Sequence, residues 1–120
     1  MATQIRLGQI IWAEIADANG FRKARPAVVM TASDQISPSG LLELVAITSF
    51  LPDPLPDDHV LLPWHAQGHP RTGLNRKSAA VCSWVAVIPA SAVEDVTGVV
   101  PGPLLLEIIA KRKAIEPPEN

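Results

Sequence analysis

Prolines and glycines divide this chain into short segments. Twelve prolines and seven glycines are spread over 120 residues. Proline lacks a backbone N–H and pushes the residue before it toward an extended conformation, so it ends helices and interrupts central strands. Residues 51–58, LPDPLPDD, hold three prolines and are predicted to form a surface loop. A chain punctuated in this way favours short strands over long helices.

The segments between these breaks are apolar and rich in β-branched residues, which is typical of strands. Strands are predicted at 8–16, 26–31, 41–50 and 60–62, and residues 77–89 are predicted to form one long strand or two broken ones. In the first strand, Ile10, Trp12 and Ile15 are predicted to point inward. Asn19-Gly20 marks a turn after it, and residues 33–40 and 64–71 are predicted loops.

Two features near the C-terminus predict helical structure. Ser91 and Glu94 have the spacing of a capping box, which predicts a single helical turn closed by Gly98. The run LLLEIIAKRKAI predicts an amphipathic helix that packs on the strands, and its apolar residues are Leu104, Leu105, Ile108 and Ile109. Strands followed by one helix predict a mainly β fold, a small barrel or twisted sheet of SH3-like size with five to seven strands. We expect a single domain over 1–120, with residues 115–120 as a flexible tail.

The composition is that of a globular chain, with 48% hydrophobic and 18% charged residues. No apolar run is long enough for a transmembrane helix, and the N-terminus lacks the pattern of a secretory signal, so we expect a cytoplasmic protein. Cys82 is the only cysteine and stands in an apolar run, so it is expected to be buried and cannot form an internal disulfide.

The charges are unevenly distributed. The net charge is −2 and the isoelectric point about 5.8, which argues against binding nucleic acid over the whole surface. Two intervals nevertheless lack acidic residues. Residues 18–33 contain Arg22, Lys23 and Arg25, and residues 59–93 contain Arg71, Arg76 and Lys77. These cations form either two local basic patches or ordinary solvated loop charges.

Most enzyme signatures are missing. The sequence has no glycine-rich phosphate loop, no GxSxG motif and no pair of CxxC motifs. His65 and His69 have a spacing that suits a metal on a helix, but Gly68 and Pro70 disfavour that helix, so these are predicted to be loop histidines and no metal is expected.

Two polar sites stand where predicted strands begin or end. Arg25 directly precedes the strand that starts at Pro26, and Thr48-Ser49 closes the strand 41–50. If these strands lie side by side, the arginine and the hydroxyl pair meet at one sheet edge.

At these residues the sequence resembles the MazF/PemK family of toxins from type II toxin–antitoxin modules. The resemblance is carried by GQIIWAEI, RPAVVMT, LVAITSF and TGLNRKSAAVCSW, in that order, and covers most of the chain. It implies a barrel of the PemK/CcdB type with a C-terminal helix, and a dimeric endoribonuclease that acts on single-stranded RNA without a cofactor. Relatives often have a histidine after the turn glycine and an aspartate after the residue matching Cys82, where this chain has Phe21 and Ser83.

The resemblance also implies roles for individual residues. Arg25 and Thr48 match the family's catalytic arginine and threonine, and Ser49 matches a hydroxyl that lines the same pocket. The ribose 2′-hydroxyl attacks the adjacent phosphorus in this reaction, so the enzyme supplies a cation and a hydrogen-bond donor rather than a metal. The predicted substrate-binding residues are Phe21, Arg22, Lys23, Ser49, Arg71, Arg76 and Lys77. A base is expected to stack on Phe21 or Trp64.

Three other interpretations stay open. The chain is either a toxin that blocks a protein target, as gyrase-poisoning relatives of the same fold do, or a family member without nuclease activity. An unrelated small β-barrel adaptor is the third alternative. For the toxin reading, we expect a homodimer and a flexible acidic antitoxin segment that covers Arg22, Lys23 and Arg25.

Overall fold

The computed structural model describes residues 4–115, and its strands form one antiparallel sheet. The strands are β1 (Gln9–Ala16), β2 (Arg22–Val29), β3 (Leu41–Thr48), β4 (His59–Leu62), β5 (Ser78–Pro89) and β6 (Asp95–Val99). Their order in space is β4-β5-β3-β2-β1-β6, and the helix α1 (Gly102–Ile115) follows the last of them in the chain. The predicted mainly β fold with a C-terminal helix is confirmed, and residues 51–58 form a loop as predicted.

Apolar side chains are buried on both faces of the sheet. Ile10, Val28 and Val45 belong to a cluster that Ile108 of α1 completes. Leu44, next to Val45, belongs to a second cluster on the opposite face. Because successive side chains of a strand point to opposite faces, a strand buried on both sides is apolar throughout. The continuous apolar runs of the sequence follow from this arrangement.

In β1 the buried residues differ from those predicted. Ile10 and Ile15 are buried as predicted, and Ile11 and Ala13 of the same strand are buried as well. Trp12 was predicted to point inward and is only half-buried. Trp12 is part of the lining of the cavity described below, so its side chain is not fully enclosed.

The second strand begins earlier than predicted. β2 starts at Arg22 rather than Pro26, and its basic residues pair with β1, Arg22 with Ala16 and Arg25 with Ala13. Pairing with β3 begins only at Ala27. Pro26 therefore has only β1 as a paired neighbour, a position where a missing N–H is tolerated. The cations lie on a strand, and their positions are fixed by its register.

The predicted helical turn at residues 91–98 is wrong. Residues Ala90–Ala92 form one 3-10 turn without a side-chain cap, and β6 then pairs with β1. Gly98 lies inside β6 and packs so closely on the backbone of Arg71 and Thr72 that a Cβ atom there would collide with it. Val99 N donates to Arg71 O at 2.7 Å. These contacts hold the loop between β4 and β5 against β6.

The helix α1 packs on β4 and β5, as predicted. Ile108 is fully buried, and Leu104 and Leu105 are partly buried against the same cluster. The tail predicted at 115–120 begins at the last helical residue, Ile115, and residues 116–120 lie outside the described part of the chain. Within residues 4–115, α1 and the short 3-10 turns are all too short or too polar to cross a membrane.

Candidate functional site: a cationic cavity at the end of β2 and β3

A cavity of about 480 Å³ opens where β2, the end of β3 and the loop before β5 meet. Its polar lining is formed by Lys23, Arg25, Thr48, Ser49, Asn75, Arg76 and Ser78. Trp12, Ile47, Phe50 and Leu74 supply apolar surface. Among residues 4–115, no carboxylate side chain belongs to this lining, so the cavity suits an anion.

Strand register explains why Arg25 and Thr48 share this cavity. Ala27 of β2 pairs with Ala46 of β3. Arg25 stands two residues before Ala27, and Thr48 stands two residues after Ala46. Because the two strands are antiparallel, both residues lie on the same side of the Ala27–Ala46 pair, and residues two apart in a strand lie on the same face. The expected meeting of an arginine and a hydroxyl pair at one sheet edge agrees with this geometry, while the catalytic roles of the two residues stay predictions.

The Arg25 side chain is held on three sides and only 15% exposed. Its Nε donates to the backbone oxygen of Ile15 at 3.0 Å, and its Nη2 lies 3.6 Å from Oδ2 of Asp17. Its Cζ lies 4.9 Å from the ring centroid of Trp84. The Nη1 donors make no hydrogen bond within residues 4–115, and Arg25 is part of the cavity lining.

The groups that hold Arg25 are themselves fixed. Nε1 of Trp84 donates to the backbone oxygen of Ala16 at 3.0 Å. Oδ1 of Asp17 accepts hydrogen bonds from the backbone N–H groups of Asn19 and Phe21, both at 2.9 Å, which forms the turn between β1 and β2. Sequence reasoning placed Asp17 in the predicted turn at residues 17–20, but it assigned neither Asp17 nor Trp84 a part in holding Arg25.

Thr48 ends β3 with its hydroxyl in a local turn. Its Oγ1 accepts a hydrogen bond from the backbone N–H of Phe50 at 3.1 Å. Ser49 beside it makes no side-chain hydrogen bond within residues 4–115. Phe50 is 77% exposed and lines the cavity, so it offers an aromatic surface that the sequence analysis did not single out.

Lys23 and Arg76 are the other cations of the lining, and both are exposed. Within the described residues, neither has an acidic partner within 4.0 Å, whereas Arg25 has Asp17. Two exposed ammonium and guanidinium groups without carboxylate partners, at the mouth of a cavity, favour binding of phosphates.

Four of the predicted substrate-binding residues lie outside this cavity. They are Phe21, Arg22, Arg71 and Lys77. Phe21 is 75% exposed next to the β1–β2 turn, and Nε of Arg22 lies 3.8 Å from Oε1 of Glu14. Trp64 is exposed as well and is not part of the lining. Any contact of these residues with substrate stays a prediction.

A second polar group of side chains, the Asp58 cluster, consists of Asp58, His59 and Ser83. The Ser83 hydroxyl donates to Oδ2 of Asp58, and Nδ1 of His59 lies 2.7 Å from Oδ1. The hydrogen bond from Ser83, supported by the contact with His59, holds the pKa of Asp58 below its ordinary value, against the opposing effect of burial. The carboxylate beside Ser83 is thus supplied by Asp58, 25 residues away in the chain.

The cysteine and the loop histidines have structural surroundings. Cys82 is buried, as predicted, and burial raises the pKa of its thiol. His65 and His69 lie in the loop between β4 and β5, where Nδ1 of each accepts backbone N–H groups of that loop. In the part of the chain that is described, no three His, Cys, Asp or Glu side chains converge in a way that would hold a metal ion.

This fold is that of the MazF toxins, and the resemblance noted in the sequence is confirmed at the level of the fold. The chain is similar to MazF from Deinococcus radiodurans, with a TM-score of 0.74 and 16% identity over 95% of this chain and 97% of that one. It is also similar to the Mycobacterium tuberculosis toxin MazF-mt6, with a TM-score of 0.63 and 20% identity over 90% of this chain and 98% of that one.

A third similar structure is an endoribonuclease in complex with its cognate antitoxin from a mycobacterial species. Its TM-score is 0.62 at 14% identity, and the alignment covers 98% of this chain and all of that one. No protein-family model matches the sequence, and no curated protein matches it significantly. At such low identities the likeness extends to the fold alone, so activity has to be argued from the cavity.

Proposed function

We propose that this protein is the toxin of a type II toxin–antitoxin module and an endoribonuclease that cleaves single-stranded mRNA without a metal. The observation that carries the proposal is the cavity in which Arg25 and Thr48 lie together with Ser49 and two further cations, without a carboxylate among the described residues of its lining. An anionic chain is the ligand that such a lining favours. The similarity to an endoribonuclease bound to its antitoxin supports the assignment.

The proposed reaction is an internal transfer of the phosphoryl group. The ribose 2′-oxygen forms a bond to the adjacent phosphorus while the bond from phosphorus to the 5′-oxygen breaks. The 2′-hydroxyl loses its proton and the 5′-oxygen gains one, which leaves a 2′,3′-cyclic phosphate and a 5′-hydroxyl. No water enters this step. The protein has to stabilise the negative charge on the non-bridging oxygens and align the attack.

Arg25 and Thr48 supply those two contributions. The Nη1 edge of Arg25 donates to non-bridging oxygens, and its charge stabilises the pentacoordinate phosphorus. An arginine stays protonated in proteins, so its role is electrostatic and it is not the general base. The Thr48 hydroxyl donates a further hydrogen bond to the same phosphate, and donors of this kind are each worth about 3 kcal/mol in the transition state.

The remaining lining binds the RNA on either side of the reacting phosphate. Lys23 and Arg76 contact neighbouring phosphates, and a base stacks on the exposed ring of Phe50 or on Phe21 at the hairpin. A single strand is required because in-line attack needs a backbone that can be splayed out of a helix.

The same cations provide a site for the antitoxin. An acidic antitoxin segment that folds on binding covers Arg22, Lys23 and Arg25 and thereby competes with RNA. We further propose that the toxin acts as a homodimer in the cytoplasm, where its mRNA substrate is found.

The test is end-group analysis of RNA after incubation with the purified protein in EDTA. Wild-type protein is expected to leave 5′-hydroxyl ends, and Arg25→Ala is expected to cleave about 10²–10³-fold more slowly. Arg6→Ala, which alters an exposed arginine outside the cavity, is the matched control and should retain the wild-type rate.

Three results would overturn the proposal. They are cleavage that depends on added metal, an undiminished rate for Arg25→Ala, and growth arrest on expression without any RNA cleavage. The last result would instead assign the protein to the toxins that block a protein target.

A further inference from the structure

We propose that Trp84 is a positioning residue for Arg25: its indole fixes the plane of the guanidinium so that the Nη1 edge meets the reacting phosphate. This inference rests on the proposed function, and neither the fold nor the resemblance assigns a role to this tryptophan. It starts from the contact of 4.9 Å between Cζ of Arg25 and the ring centroid of Trp84.

The three contacts of Arg25 leave one edge of the guanidinium open. Nε is used by the backbone oxygen of Ile15, and Nη2 faces Asp17. Cζ of the guanidinium lies over the indole ring of Trp84. Stacking on an aromatic ring restrains a cation without neutralising it, which a second carboxylate would do. The charge and the Nη1 donors therefore stay available to an anion.

The indole can restrain Arg25 because it is anchored on its own. Trp84 packs against the apolar cluster that contains Ile15, and its Nε1 donates to the backbone oxygen of Ala16. Arg25 donates to the backbone oxygen of Ile15, the preceding residue. Both side chains are thus fixed to consecutive residues of β1. Their relative orientation is set by one short piece of backbone.

The ion pair with Asp17 does not replace the stacking contact. Nη2 and Oδ2 are 3.6 Å apart, which is longer than a hydrogen bond, and the Asp17 side chain is 32% exposed. Such a pair attracts the guanidinium without defining its plane. The plane is defined by the ring and by the hydrogen bond to Ile15.

Rotation of the guanidinium would misalign the donors that stabilise the transition state, so loss of the ring should lower kcat more than it raises KM. Trp84→Leu removes the aromatic face, and Trp84→Phe restores a face but lacks the indole N–H. We expect kcat to fall about 10–30-fold for Trp84→Leu and no more than about 3-fold for Trp84→Phe, at a KM within about 3-fold of wild type.

A second measurement reports on the contact between Trp84 and Arg25 without any RNA. Protons close to the face of an aromatic ring resonate upfield, and Cζ of Arg25 lies over the indole ring. The Hε signal of Arg25 in a ¹H–¹⁵N NMR spectrum should therefore lie upfield in wild-type protein and in Trp84→Phe relative to Trp84→Leu, in which the hydrogen bond to Ile15 is kept. Arg25→Lys identifies the signal by its loss.

The two arms separate failure of this inference from failure of the proposed function. If wild-type protein does not cleave RNA but its Arg25 signal is shifted, the nuclease assignment is wrong. The positioning role in catalysis is then overturned as well, although the contact between Trp84 and Arg25 exists. If wild-type protein cleaves RNA and Trp84→Leu is as active as Trp84→Phe, the positioning role alone is overturned. An unshifted Arg25 signal in wild-type protein overturns it too, even if Trp84→Leu fails to fold.

Discussion

The cavity around Arg25 and the Asp58 cluster are both polar, yet they differ in how completely their charges are paired. In the cavity, Lys23 and Arg76 lack acidic partners among the described residues, and Arg25 keeps an open edge. In the Asp58 cluster, one carboxylate oxygen accepts from Ser83 and the other faces His59. Close to this cluster, Nζ of Lys111 donates to the backbone oxygen of Asp57, and Nη1 of Arg112 to that of Cys82.

This difference separates a surface kept ready for a ligand from one that stabilises the fold. Unpaired cations around a concave surface cost stability through mutual repulsion and are compensated only when an anion binds. Paired groups beneath a helix stabilise the folded chain and have little capacity left for a ligand. Substitutions in the cavity should therefore change activity, and those near α1 should change the free energy of unfolding.

After Arg25→Ala, the largest effect is expected for Thr48→Val, which removes the hydroxyl at nearly constant volume. The cleavage rate should fall about 10²-fold, because a donor to the reacting phosphate is lost. The free energy of unfolding should fall by only about 1 kcal/mol, since the hydrogen bond from Phe50 N is lost as well. The measurements are RNA cleavage and urea denaturation.

Thr31→Val is the matched control for this prediction. Oγ1 of Thr31 also accepts a backbone hydrogen bond, from Glu43 at 2.8 Å, but it is not part of the cavity lining. This variant should lose similar stability and keep its cleavage rate. Equal losses of activity in both variants would remove the distinction between the two regions.

A smaller effect, on the free energy of unfolding and not on cleavage, is expected for Arg112→Met. Nη2 of Arg112 lies 3.7 Å from Oε1 of Glu43, and its side chain is mostly buried beneath the surface of α1. The free energy of unfolding should decrease by about 1–3 kcal/mol, because hydrogen bonds from a charged group are lost, and the cleavage rate of folded protein should not change. Lys113→Met, at an exposed position on the same helix, is the control and should behave as wild type.

The Asp58 cluster should make stability depend on pH in the acidic range. Its lowered pKa means that ionised Asp58 stabilises the folded protein above the ordinary value of 3.8, and this contribution is lost as pH falls through the lowered pKa. Asp58→Asn should therefore reduce the free energy of unfolding by about 1 kcal/mol at pH 7 and by progressively less below pH 4. Asp57→Asn, which removes an exposed carboxylate at the neighbouring residue, is the matched control. A loss of unfolding free energy in Asp58→Asn that stays constant with pH would contradict the assignment.

The smallest effect concerns the exposed cations of the cavity. Lys23→Gln and Arg76→Gln should each lower the slope of log affinity against log salt by about 0.7 for a single-stranded 2′-deoxy oligonucleotide, which has no 2′-hydroxyl and is not cleaved. Lys113→Gln on α1 should leave that slope unchanged. An equal reduction in all three variants would indicate that RNA binds by overall charge and that the cavity is not its site.

Elements that depend on local sequence were predictable, whereas those that depend on contacts between distant residues were not. The strands and α1 were predictable because their apolar periodicity is local, and Arg25 and Thr48 could be paired because each stands at the end of a predicted strand. The early start of β2 could not be predicted, since Arg22 and Lys23 are extended only through their pairing with β1. Likewise the capping-box pattern at Ser91 gave way to the pairing of β6 with β1.

The groups that hold Arg25 were out of reach for a similar reason. Trp84 is 59 positions away from Arg25, and their contact depends on the register of a strand with an irregular pairing. Asp58 and Ser83 meet through the same strand. Sequence patterns indicate which residues lie on strands, while irregularities in register decide which distant side chains touch.

The irregular pairing of β3 with β5 determines where this chain tolerates insertions and deletions. Between the pairs Val45–Val85 and Ile47–Ala80, β3 contributes one residue and β5 contributes residues 81–84. This short stretch places a thiol in the core, a hydroxyl on Asp58 and an indole on Arg25, each in a different direction. Deleting a single residue there would redirect all three at once, because side chains alternate along a strand. In the proline loop, Asp53 and Pro54 are exposed and precede the residues that contact Ser83 and α1, so an affinity tag or fluorophore is better inserted there.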